Sequence, residues 1–78
     1  MCMFSTSDLN LASTLVCMGF PVKETQRSSY RRVVFVFRRI ASLDDLVTGY
    51  WQGKLLVEPQ AHFQAIKALK HRIYDESE

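Results

Sequence analysis

Arg31-Arg32-Val33-Val34-Phe35-Val36-Phe37-Arg38-Arg39 sets an unbroken β-branched and aromatic run between two arginine pairs. Valine and phenylalanine suit a pleated surface, and guanidinium groups at the two ends can reach water while the apolar middle is covered. The stretch therefore reads as a strand, running from about Tyr30 to Arg39. Period two puts Val33, Phe35 and Phe37 on one face and Val34 and Val36 on the other. Because both faces are apolar, the strand is expected at the centre of a sheet. A third strand must then flank it, supplied by the N-terminal segment or by the edge of a second subunit.

Working upstream, Phe20 to Arg27 alternates, with Phe20 and Val22 on one side and Lys23, Thr25 and Arg27 on the other. That pattern predicts a half-exposed strand, joined to the central one through a turn at Arg27-Ser28-Ser29-Tyr30. Ser5-Thr6-Ser7-Asp8 offers capping groups for a helix carrying Leu9, Ala12, Leu15 and Val16 on one face. Gly19, which tolerates a left-handed backbone, should end it. The apolar Met1-Cys2-Met3-Phe4 makes a short leading strand an option.

Downstream, Ser42-Leu43-Asp44-Asp45 repeats the capping signature, with Ser42 as cap and Asp45 three residues on. Leu43, Leu46, Val47 and Tyr50 follow at helical spacing, and the helix should close near Gly53. Glu58-Pro59 opens a last helix, proline being tolerated where no N–H is needed. Its buried stripe is expected to be Phe63, Ile66, Leu69, Ile73 and Tyr74, with Gln60, Gln64, Lys67 and His71 in solvent. The order (β)-α-β-β-α-α describes an α+β fold: a small antiparallel sheet, a hairpin plus the optional N-terminal strand, packed against about three helices.

With 78 residues, the chain holds one domain over 1–78, and 75–78 read as an acidic disordered tail. Cys2 and Cys17 are too few for a disulfide framework and too far apart for a zinc knuckle, so both read as free thiols in a reducing compartment. No apolar run approaches a membrane span and the first residues lack a basic leader, so the expectation is a cytoplasmic protein with no membrane partner.

The net charge of +2 is unevenly spread. Phe20 to Ile40 holds Lys23, Arg27, Arg31, Arg32, Arg38 and Arg39 against the single acid Glu24, a local +5 that leaves the remainder at −3. Lys23, Arg27, Arg31 and Arg32, with Tyr30 free to stack, are the candidate nucleic-acid-binding residues, forming a cationic hairpin that meets DNA or RNA through phosphates. Arg38 and Arg39 lie roughly 23 Å away at strand rise, too far for one compact patch. Lys67, Lys70 and Arg72 extend one set or the other. The competing reading has the arginines covering strand ends and pairing with Asp44, Asp45 or Asp75.

Catalytic patterns are missing. His62 and His71 fall on opposite sides of one helix, so no metal site is expected from them. Asp44 and Asp45 read as first-turn acids that complement a helix dipole rather than as a catalytic pair. Cys17 sits at a helix C-terminus, which weakens a thiolate. The three glycines make no phosphate loop. No cofactor is called for, and the chain reads as non-catalytic. Trp51, inside Gly49-Tyr50-Trp51-Gln52-Gly53, is a candidate interaction surface, either in a homodimer or toward another protein. Self-assembly is thus the alternative to nucleic-acid binding.

Four segments also carry a resemblance: Leu15 to Phe20, Arg32 to Phe37, Leu43 to Gly53, and Phe63 to Tyr74. In them the chain resembles a family of short, uncharacterised bacterial and mobile-element-associated proteins, a domain of unknown function. That family pairs a leucine-rich helix ending in Gly-Phe with an Arg-Val-Val-Phe-Val-Phe strand, an acidic helix leading to Tyr-Trp-x-Gly and a lysine-rich closing helix. The resemblance implies no activity, cofactor or catalytic residue. Arg38-Arg39 departs from it, since acids follow the strand in the family pattern.

Overall fold

Pairing on both edges is how the doubly apolar strand is accommodated. The computed structural model describes residues 3–29 and 32–76. Its elements are β1 (Met3–Thr6), α1 (Leu9–Cys17), β2 (Glu24–Ser29), β3 (Arg32–Arg38), α2 (Ala41–Trp51) and α3 (Pro59–Glu76). The three strands form one antiparallel sheet in the order β1-β3-β2, so the chain's own N-terminal segment is the third strand. The expected order β-α-β-β-α-α is the observed one, and the fold is α+β.

In β3, Phe35 and Phe37 are fully buried and join Leu11, Ala12 and Leu15 of α1, Leu43 of α2 and Leu69 of α3 in one cluster. Val33 and Phe4 pack at its margin, with the Phe4 and Phe37 rings 6.4 Å apart. A fully buried phenylalanine or leucine of this cluster contributes about 1.5–3 kcal/mol through removal from water. Val34 and Val36 point the other way and stand outside this cluster, Val34 half-buried and Val36 buried. The molecule is therefore two layers, with the helices against the Val33–Phe35–Phe37 face of the sheet.

Local chemistry sets the helix ends. Asp8 caps α1, its carboxylate accepting from the Leu11 N–H at 3.1 Å. Gly19 (φ 100°) and Gly53 (φ 71°) then end α1 and α2 in the same way. At the first, the Gly19 and Phe20 N–H groups donate to the Val16 and Leu15 carbonyls; at the second, those of Gly53 and Lys54 donate to Tyr50 and Gly49. These paired bonds satisfy carbonyls that a helix otherwise leaves orphaned. Glu58 caps α3 with both carboxylate oxygens, accepting from Gln60 N–H at 2.8 Å and Ala61 N–H at 3.0 Å.

Three expectations need correction. The strand expected from Phe20 begins at Glu24, because Phe20 and Val22 pack against the core as coil after the Gly19 turn. Ser42 is not the cap of α2: the helix starts at Ala41, and the Ile40 carbonyl accepts from Leu43 and Asp44 N–H, each at 3.1 Å. Phe63 and Tyr74 are not in the buried stripe of α3, being 58% and 68% exposed. His62, Ala65, Ile66, Leu69 and Ile73 form it instead.

Candidate functional site

Parity along β3 decides which cations share a surface. Arg32 and Arg38 are both exposed and both on the Val34–Val36 side, six positions or roughly 20 Å apart at strand rise. Around that row the register places Ser5 and Glu24 beside Val36, Met3 beside Arg38, and Gln26 beside Val34. The face is thus a short hydrocarbon strip with a guanidinium at each end and neutral groups along its β1 flank. Arg32 Nη2 donates to Ser7 Oγ at 3.1 Å, which fixes its head near the end of β1.

Of the candidate hairpin residues, Tyr30 and Arg31 lie outside the described residues. Arg27 stands opposite Val33 and Arg32 opposite Ser29, with a register shift between Arg27 and Ser29. That irregularity adds twist at the hairpin end. Lys23 does not join them. Its backbone N–H donates to the Val36 carbonyl at 2.7 Å, which puts it at the far end of the sheet, where its side chain and Arg38 line one concavity. The expected single cluster is therefore dispersed: Lys23 sits with Arg38, Arg32 lies at the other end of the same face, and Arg27, opposite Val33, is on the other face of the sheet.

Arg39 belongs to neither. Its Nε donates to both carboxylate oxygens of Asp44, at 3.0 and 3.3 Å, so one of the anticipated arginine–acid pairings is real. With both side chains about half exposed, the pair contributes only about 0.2–1 kcal/mol. Lys67 and Lys70 lie on the exposed face of α3, in the helical layer, with Lys67 Nζ 5.5 Å from the centre of the Phe63 ring. Trp51 is 66% exposed and meets Tyr50 edge-on at 5.0 Å. Leu56, in the connection after α2, is 91% exposed.

Two concavities accompany these surfaces. The first, about 360 Å³, is lined by Gly19, Phe20, Pro21, Lys23, Arg38 and Ile40. The second, about 230 Å³, lies among α1, α2 and α3 and carries a polar network. There Asn10 Nδ2 donates to Tyr50 Oη at 2.8 Å, and Thr14 Oγ1 donates to the Asn10 carbonyl at 2.9 Å. With its proton so used, Thr14 must accept from His62 Nε2 at 3.3 Å, leaving Nδ1 as the ring's second polar position. The network ties three helices together. No group of three or more metal-binding side chains occurs among the described residues, and no described helix is long and apolar enough to cross a membrane.

Sequence reasoning found the cations but not the wall beside them. Phe20, Pro21 and Ile40 come from two separated connections, and no local spacing signals their meeting. A family model described as a domain of unknown function (DUF5659) matches residues 1–75. No curated protein and no solved structure matches the chain.

Proposed function

The chain belongs to the DUF5659 family, and on that premise we propose that it is a non-catalytic module that binds nucleic acid through phosphates on the outer face of its sheet. The observation that supports this most is the placement of two exposed arginines, Arg32 and Arg38, on one side of the central strand, with Lys23 beside Arg38. Cations spread along a shallow face track a polyanion better than they hold a small ion. The outward row of β3 has no aromatic side chain and no helix is laid out as a groove reader, so backbone contact dominates over base readout.

The test is titration of labelled DNA and RNA at increasing salt. Counterion release makes affinity fall steeply with salt, and the double variant Arg32→Glu/Arg38→Glu should weaken binding more than tenfold and lower the salt slope by about two. Absence of binding at micromolar protein, or binding indifferent to salt, would remove the proposal.

Self-assembly is the second reading, supported by the exposure of Trp51 and Leu56. It predicts a mass in sedimentation that rises with concentration and reverts to the monomer in Trp51→Ser. A monomer at all concentrations eliminates it.

A further inference from the structure

The concavity between the Gly19 turn and the start of α2 combines an apolar wall with positive charge. Phe20, Pro21 and Ile40 form the wall, Lys23 and Arg38 the charge, and no acid is among the lining residues. Among the described residues neither Lys23 nor Arg38 has an ion-pair partner. We propose that this concavity receives one unpaired nucleotide, its base against Phe20, Pro21 and Ile40 and its phosphate between Lys23 and Arg38. The inference rests on the nucleic-acid reading above and adds that the bound strand is single.

Three considerations carry it. At about 360 Å³ the space falls at the lower end of the range for small-ligand sites. Its walls are anchored by backbone bonds: Phe20 N–H to the Leu15 carbonyl at 2.9 Å, Lys23 N–H to the Val36 carbonyl at 2.7 Å, and the Ile40 carbonyl to the first turn of α2. Pro21 adds a fixed ring, so little ordering is needed when a base enters.

Continuity with the sheet selects a nucleotide over an isolated amphipathic anion. Arg38 both lines the pocket and begins the row that leads through Val36 and Val34 to Arg32. A strand whose base occupies the pocket can therefore continue its phosphates along that row. A duplex offers no free base without the cost of unstacking it.

The experiment compares a short labelled single strand with the duplex of the same sequence at low salt. Base stacking on one such wall corresponds to about a tenfold preference for the single strand. Ile40→Ser removes part of the wall and changes no charge, and serine is a good residue at the N-cap position Ile40 occupies, so the fold is retained. It should erase the preference and leave duplex affinity unchanged. Equal binding of single strand and duplex by the wild-type chain overturns the nucleotide pocket while the phosphate-binding reading stands. A preference that survives Ile40→Ser overturns it likewise. Binding of neither nucleic acid removes both, and octanoate bound in the pocket without displacement by the single strand assigns the site to an amphipathic carboxylate instead.

Discussion

The two sides of β3 share one backbone and differ in what faces them. On one, Val33, Phe35 and Phe37 meet the helices; on the other, Arg32 and Arg38 are exposed at the two ends, Val34 is half-buried and Val36 is buried, all outside the helix-packed cluster. Alternation alone divides the strand into a side that determines whether the chain folds and a side free to carry charge. A 78-residue domain has little stability to spare, so the division has consequences that can be measured.

The sharpest way to break the comparison is Phe35→Ala. It should cost about 3–5 kcal/mol in urea unfolding followed by circular dichroism, a large part of the 5–15 typical of a domain. A loss below about 1 kcal/mol would mean that the inner side is not the core. Next comes Ser13→Ala on α1, where the hydroxyl is fully buried and has no hydrogen-bond partner among the described residues. Removing it should raise stability by about 1 kcal/mol, seen as a higher unfolding midpoint at unchanged slope.

On the outer side, Val34→Ala removes half-buried methyl groups and should cost roughly 1 kcal/mol or less, several times below the value at Phe35. Equal costs at the two positions would signal a partner covering the outer face. Smallest of all is Phe63→Ala on α3, expected to change stability by about 0.5 kcal/mol at most because the ring is mainly in water. Differential scanning calorimetry of Phe63→Ala beside Phe35→Ala compares one residue type in opposite surroundings.

Phe63 also shows where sequence reading stopped. The strand, the helix stops at Gly19 and Gly53 and the order of elements all follow from local signals: β-branched runs, capping oxygens and residues that accept a positive φ. The inner stripe of α3 does not, because hydrophobicity favours Phe63 over its neighbour His62. A histidine is acceptable inside when a buried hydroxyl meets it, and Thr14 lies forty-eight positions away. Ile40 as the cap of α2 is similar: its backbone carbonyl does the work, and Ser42 only carries the familiar side chain.

The candidate site was legible in its charges and illegible in its grouping. Lys23 and Arg27 look like neighbours on one strand, yet β2 begins after Lys23 and pairs so that Lys23 ends beside Arg38. Register, a non-local property, decides which cations share a ligand. Phe20, Pro21 and Ile40 meet for the same reason, through the return of the chain from β3 into α2.

The order β1-β3-β2 also governs what happens on the ribosome. β2 meets its partner as soon as the hairpin emerges, whereas Met3–Thr6 bonds to Phe35–Arg38, made only after everything between has been synthesised. At about 5–20 residues per second, the first strand waits for some seconds with its amides unpaired.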